Sequence, residues 1–488
     1  MVTAKDERTA LEAVPQGLFI DGQWRESTSG GSFPVEDPST GQVVAEVADG
    51  TAQDAQDALG AAHRAGPAWA ATPPRERGEI LRRAYEALVA RTDELALVMT
   101  VEMGKPLEHS RSEIAYAAEF FRWFSEEAVR VRGDWLVAPD GRGRLLTMRQ
   151  PVGPCLFVTP WNFPIAMGTR KIGPALAAGC TVVIKPAALT PLSMLSLARL
   201  LEEAGLPPGV LNVITTSSSG RTLEPLYGDR RLRKLSFTGS TEVGRNLYAR
   251  AAEGVLRISM ELGGNAPFLV FADADLDAAV EGAVLAKMRN VGEACTAANR
   301  FHVESAVAGE FSRRLAERLG AMRVGRGTED GVEVGPLVDE ATRDKVDELV
   351  RDAVGRGAEV LTGGQAMAGA GHFYRPTVLG SVPGGARLLS EEIFGPVAPV
   401  VPFDTEAEAV RAANDTEFGL VAYVFTSDLK RAIRVIEGLE TGMVGLNRGL
   451  VSNPAAPFGG VKSSGIGREG GREGIEEYLE TKYVAVDL

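Results

Sequence analysis

Apolar and polar positions change their spacing several times along these 488 residues. Between 16 and 50, short apolar runs (GLFIDGQWRE, then FPVEDPSTGQVVAEV) are broken by turn residues such as DPSTG, which predicts short strands. From 51 to 93 the spacing turns helical, with an Ala-rich start and then LRRAYEALVARTDELALVM. A long helix is expected over 108–131, starting near Pro106, with Tyr116, Phe120, Phe121, Trp123 and Phe124 as core positions.

The clearest pattern covers 152–253. Apolar runs at 154–158, 181–184, 210–214 and 234–237 alternate with helical spacing near 166–178, 192–204, 219–226 and 241–253. A repeat of roughly 27 residues suits strand–crossover–strand units in a parallel sheet, which binds ligands beyond the carboxyl ends of its strands. A second α/β segment is expected from 262 to 440. It has strands at 268–272 and 301–303 and in VLTGG, YRPTVL and GPVAPVVPF, and helices at 276–289, 305–320, 339–357, 405–414 and 428–440. The tail from Gly459 to Gly474 is glycine-rich, and EEYLETKYVAVDL reads as an edge strand for a partner subunit.

Composition narrows the classes. This length implies two or three domains. A formal charge of -13 argues against a nucleic-acid partner, since no basic surplus exists to neutralise phosphates. No stretch reaches 18 uncharged apolar residues, and MVTAKDERTALEAV lacks the apolar centre of a secretory signal. With 3 cysteines there is no disulfide framework, and a reducing cytoplasm is the expected setting. The 4 histidines (His63, His109, His302, His372) are scattered, so no metal is expected. Asp273, Asp275 and Asp277 in FADADLDAAV lack the central Gly of a calcium loop and read as helix-starting residues.

Candidate chemistry starts from the cysteines. Cys155 and Cys180 lie between apolar runs and read as packing residues, whereas Cys295 in RNVGEACTAANR has polar neighbours and a glycine. A nucleophilic thiol needs access, a base and donors for the oxyanion it creates. Asn162 in TPWNFP, between a strand and a helix, is a suitable amide donor. Glu261 in SMELGGNAPF, held by a Gly-Gly turn, is a suitable base. Taken alone, Cys295 reads equally well as an unremarkable loop cysteine and Glu261 as a surface carboxylate. Lys185 ends a strand in TVVIKPAALTP, facing ribose hydroxyls or an added phosphate. In KLSFTGSTEVG a strand passes through Gly239 and Ser240 into a helix N-terminus, a place for a pyrophosphate. Glu392 in SEEIFGPV is placed to grip a ribose diol, or is another loop acid.

PWNFP, VVIKPA, FTGSTEVG, MELGGNAP, GEAC, EIFGPV and NPAAPFGGVKSSGIGREG, in this order across 150–470, resemble the aldehyde dehydrogenase superfamily. The resemblance implies an α/β fold with a Rossmann-type cofactor domain (1–130 and 151–261), an α/β catalytic domain (262–440) and small oligomerisation segments (131–150 and 471–488). It implies a homodimer or homotetramer. It makes Cys295 the nucleophile, Asn162 with the Cys295 amide the oxyanion hole, and Glu261 the base. Trp161, Lys185, Ala188, Gly239, Ser240, Glu392 and Phe394 become the cofactor contacts.

Within the superfamily the chain is most similar to succinate-semialdehyde dehydrogenases. That likeness implies a carboxylate clamp of Arg170, Arg289 and Ser452. Members that prefer NAD often carry a Glu three residues after the lysine, where this chain has Ala188. NADP is therefore expected, with NAD as an alternative. Some relatives have a second cysteine two residues after the nucleophile, where this chain has Ala297, so a redox disulfide there is not expected. Glutarate semialdehyde, a broad aldehyde range and betaine aldehyde are the alternative substrates. A structural or nucleotide-binding relative without catalysis is the alternative of another class.

Overall fold

The computed structural model describes residues 2–487. Its first sheet has eight strands. Five of them are parallel, in the spatial order Leu211–Val213, Val182–Lys185, Cys155–Val158, Lys234–Thr238, Arg257–Glu261. The chain winds outward from Cys155–Val158 in one direction and then restarts on its other side with Lys234–Thr238. The strand order therefore reverses between these two, and a crevice opens at their carboxyl ends. All residues of these two strands are buried, which explains why both read as continuous apolar runs rather than alternating ones. Helices Ala166–Ala178 and Thr241–Glu253 have the expected bounds.

The second sheet has seven strands, in the order Glu359–Thr362, Thr377–Gly380, Val397–Phe403, Ala298–Glu304, Ala266–Val270, Val421–Phe425, Met443–Leu446. It reaches six residues past the expected limit of 440. The expected long helix runs Leu107–Glu127, with Phe120, Phe121 and Phe124 buried, while Tyr116 and Trp123 are only partly so. The 51–93 region is two helices, Ala52–Ala71 and Pro74–Ala90, parted by Pro73. Cys155 and Cys180 are fully buried.

One expectation, that for the three aspartates of FADADLDAAV, takes a partly different form. Only Asp275 caps the Leu276–Met288 helix. Asp277 stands in that helix's first turn, as expected, and pairs with Arg314, whereas Asp273 accepts from Thr426, Ser427 and Asp428. The C-terminal strand, Leu479–Val486, is an edge strand as expected: it pairs antiparallel with Arg144–Pro151 of its own chain, and Trp135–Val137 forms the opposite edge of that three-stranded sheet. The glycine-rich tail returns to the first sheet, where Gly465–Ile466 pairs with Met260 and Glu261.

Candidate active site

Each candidate side chain sits where a strand ends or a tight turn forces it. Asn162 follows the Cys155–Val158 strand, Lys185 ends its own strand, Ser240 caps the Thr241–Glu253 helix, and Glu261 ends the Arg257–Glu261 strand. A cavity of about 250 Å³ is lined by Trp161, Asn162, Glu261, Cys295, Glu392 and Phe394, among others. An adjoining cavity of about 620 Å³ is lined by Lys185, Ser219, Val243 and Arg250, and the two share Pro160, Trp161, Thr238, Gly239 and Ser240. One crevice thus joins the thiol to the far end of the sheet.

The Cys295 loop is strained into place. Asn290 (φ 54°), Val291 (φ 59°) and Gly292 (φ 82°) are three successive left-handed residues, unfavourable above all for a β-branched valine. Asn290 offsets this: its Nδ2 donates to the Asn162 carbonyl at 3.0 Å and the Glu293 carbonyl at 2.9 Å. Gly292 is required by space as well as by φ, because a Cβ there would stand 2.3 Å from the Gly395 carbonyl oxygen. The Gly-Gly pair of MELGGNAP has a related cause. A Cβ on Gly264 would meet the Cys295 carbonyl at 2.5 Å, and one on Gly263 would meet Glu392 Oε2 at 3.0 Å.

Asn162 is buried. Its Oδ1 accepts from the Phe163 N–H at 3.1 Å, which fixes the amide's orientation, and its Nδ2 donates to the Glu293 carbonyl at 3.0 Å. An amide nitrogen carries two hydrogens, so one remains for an oxyanion. Among the described residues the Cys295 backbone N–H donates to nothing, which leaves a second donor.

Glu261 is 3% exposed, and among the described residues neither carboxylate oxygen has a hydrogen-bond partner. Burial raises its pKa well above the usual carboxylate range, and the neighbouring Glu469 adds to the shift. Glu469 is buried too, but Lys171 and Arg170 outweigh that burial and hold it low. The pair therefore keeps its charge on Glu469 and its proton on Glu261. Burial also pushes the Cys295 thiol up to about 12, against the pull of Arg170. At rest both reacting groups are neutral.

The two candidate substrate arginines differ. Arg289 donates from Nη1 to Ser452 Oγ at 3.4 Å, lies over the rings of Phe163 (4.9 Å) and Tyr116 (5.5 Å), and forms no ion pair among the described residues. Arg170 is 2% exposed, contacts Glu469 Oε2 from Nε at 2.7 Å and from Nη2 at 2.5 Å, and stacks on Phe458 at 3.9 Å. Its charge is already paired. Its field still reaches Cys295 and Glu261.

The residues suit a nicotinamide dinucleotide. Lys185 is 6% exposed, donates to Ser219 Oγ at 2.8 Å and has no carboxylate partner among the described residues, and burial lowers its pKa to about 8. A Cβ on Gly239 would stand 2.4 Å from the Phe237 ring, so the turn into the Ser240-capped helix stays low. Glu392, raised to about 7 by burial, accepts from the Gly264 N–H at 3.2 Å through Oε1. Trp161 and Phe394 meet edge to face at 5.4 Å on the cavity wall. Ala188 packs, partly buried, against the hydrophobic core.

The supporting charges were not anticipated. Lys105, fully buried, donates to Glu113 at 2.6 Å and to the Asn162 carbonyl at 2.7 Å. Glu113 in turn accepts from the Ile165 and Ala166 N–H groups. Lys171 is clamped to Glu469. One signal was available: Arg170 and Lys171 stand together in an otherwise apolar helix, AMGTRKIGPALAA, and two buried cations demand a distant acid.

Residues 24–484 match the model of the aldehyde dehydrogenase family. A succinate-semialdehyde dehydrogenase of Paenarthrobacter nicotinovorans is 57% identical over 91% of this chain and 99% of its own length. A glutarate-semialdehyde dehydrogenase of Pseudomonas putida is 48% identical over 97% of this chain and 98% of its own. A crystal structure described as an NADP-dependent enzyme of E. coli superposes with a TM-score of 0.96 at 47% identity, covering 98% of this chain and 99% of that one. With the fold, the crevice and these matches in agreement over nearly its whole length, the chain belongs to the aldehyde dehydrogenase family.

Proposed function

We propose that this chain oxidises succinate semialdehyde to succinate with NADP, and with NAD as a second cofactor. The observation that carries the reading is the buried, unpartnered Glu261 carboxyl sharing one cavity with Cys295 and Asn162. A base without a partner in a low-dielectric site is costly unless it has a proton to move.

Once Glu261 has given up its own proton to solvent, Cys295 attacks the aldehyde carbon as its thiol proton passes to that carboxylate, directly or through a water. The Asn162 amide and the Cys295 N–H stabilise the alkoxide of the thiohemiacetal. A bound nicotinamide supplies one thing, an acceptor for the hydride leaving that carbon. Lys185, Ser240 and Glu392 would hold its ribose and phosphate groups, with Trp161 and Phe394 on the wall of the cavity that contains Cys295. After that proton has left to solvent, Glu261 takes another from the water that hydrolyses the thioester, and the Cys295 sulfur departs as the leaving group. At the substrate's other end, Arg289 and Ser452 receive the carboxylate. Arg170, paired with Glu469, contributes its field to the thiolate and not a free fork. An unpaired Arg289 favours an anion over the cationic betaine aldehyde.

The high identity to a glutarate-semialdehyde dehydrogenase supports a second substrate. One extra methylene in an apolar slot is worth only about 1–3 kcal/mol, so measurable turnover of glutarate semialdehyde is expected. We also assign the chain to the cytoplasm and its assembly, as a homodimer or homotetramer, to the three-stranded sheet.

The test is steady-state kinetics with succinate semialdehyde and betaine aldehyde, on the native enzyme and on Cys295→Ala. The native enzyme is expected to prefer the semialdehyde. The variant is expected to bind NADP normally with no measurable turnover. Equal use of the cation, or turnover by the variant, defeats the reading.

A further inference from the structure

Tyr116 is read from the sequence as a core aromatic of a long helix, and most of its companions on that helix are core. Its ring does pack against the hydrophobic core, but its polar end does not have core surroundings. The ring packs edge to face on Phe120 at 5.0 Å, and the Arg289 guanidinium lies over it at 5.5 Å. The hydroxyl is sealed from solvent and, among the described residues, makes no hydrogen bond of full geometry, Ser452 being the one side chain near enough to act on it in that way. A buried hydroxyl left unsatisfied is destabilising, and a phenylalanine at the same place would avoid the penalty. Arg170, Arg289 and Ser452 all lie close enough to act on the phenol. Ser452 is the one that Arg289 contacts, and Arg170 and Arg289 are the two cations that act on the Cys295 thiol.

The phenol is therefore a donor without a strong acceptor, in a polar cluster whose two arginines act on the Cys295 thiol and which carries excess positive charge. Arg170 is balanced by Glu469, while Arg289 forms no ion pair among the described residues. One small carboxylate would satisfy both deficits, accepting from Arg289 and from the Tyr116 hydroxyl together.

Resting on the substrate reading above, we infer that Tyr116 is a specificity residue whose hydroxyl donates to the far carboxylate of the semialdehyde. It completes with Arg289 and Ser452 a three-donor cradle and takes the place that Arg170, committed to Glu469, leaves open. The oxygen must be met at one depth, so the phenol also fixes how far the aldehyde carbon lies from Cys295.

The test compares Tyr116→Phe with the native enzyme on succinate semialdehyde and on propanal, an aldehyde without the carboxylate, with NADP affinity measured on both proteins. Loss of a hydrogen bond to a charged group is expected to raise KM for the semialdehyde about tenfold. Propanal kinetics and NADP affinity should stay within about twofold, since neither involves the hydroxyl. An unchanged semialdehyde KM overturns the assignment. So does an equal loss on both aldehydes, which would mark Tyr116 as packing alone. If the native enzyme itself handles propanal as well as the semialdehyde, the fault lies in the substrate reading, and the cradle falls with it whatever the variant does.

Discussion

Lys185 carries its ammonium into the crevice with, among the described residues, only the Ser219 hydroxyl as a hydrogen-bond partner, and burial lowers its pKa to about 8. The sign follows directly. The cation is present below that pH and fades above it, so a 2′-phosphate is attracted at neutral pH and less so in alkali. NADP affinity should fall as pH rises from 7 to 9, NAD affinity should change little, and Lys185→Met should flatten the NADP curve. Fluorescence titration at several pH values checks this, and a pH-independent NADP affinity in the native protein contradicts it. A carboxylate placed nearby by Ala188→Glu should repel the same phosphate. At partly screened distances such repulsion amounts to about 1–4 kcal/mol, so NADP affinity should drop about tenfold or more. Glu261 works in the opposite sense. Burial and Glu469 keep it protonated at rest, so it serves as a base only after losing that proton, and turnover should climb with pH. Glu261→Gln should lose about 100-fold or more in kcat and lose that rising limb, as a pH–rate profile would record.

Lys105 and Glu113 tie the Leu107–Glu127 helix to the start of the Ala166–Ala178 helix, and through the Asn162 carbonyl to the oxyanion donor. Removing one partner strands the other charge in the core, so Lys105→Met alone should cost about 3–5 kcal/mol of stability. Pairing it with Glu113→Leu removes both charges, and the denaturant midpoint should recover most of the loss. Activity should not recover with it, because the Asn162 carbonyl still lacks the lysine. A double variant that regains full kcat would show that the pair serves stability only. None of this was legible in the sequence, whereas helices such as Ser305–Gly320 were, to the residue. A 3.6-residue spacing between Gly, Pro and polar caps is a local signal, and so is a buried run of valines. The Arg170–Glu469 contact joins residues 299 apart, and no local pattern announces it. The three left-handed residues at 290–292 are equally silent, since a valine gives no warning of positive φ. The motifs disclosed which residues react, and the buried charges that hold them came only from the fold.

The glycine-rich tail binds the site to the outside of the molecule. It leaves the second sheet, lays Gly459 so near Glu261 that a Cβ would stand 2.9 Å from Oε1, supplies Glu469, and runs on into Leu479–Val486 on the three-stranded sheet. The far edge of that sheet, Trp135–Val137, exposes Trp135, Leu136 and Val137 by 55%, 54% and 57%. Three adjacent apolar side chains on an unpaired edge are an invitation to another strand, and a lone subunit would risk indiscriminate pairing there. Coverage by a second copy resolves that risk, and a lysine in the middle of the edge should prevent it. Leu136→Lys is expected to shift the mass in light scattering from a multiple of 51.8 kDa toward a single subunit. Each copy also carries a formal charge of -13, so association brings like charges together, and salt that screens them should strengthen assembly of the native protein. A native protein of single-subunit mass at every ionic strength, or a variant that assembles as before, would remove this edge from the interface. If the edge is the interface, its loss should also lower kcat, because Trp135–Val137 pairs with Arg144–Pro151, which in turn holds the C-terminal strand that continues the segment carrying Glu469 to Glu261.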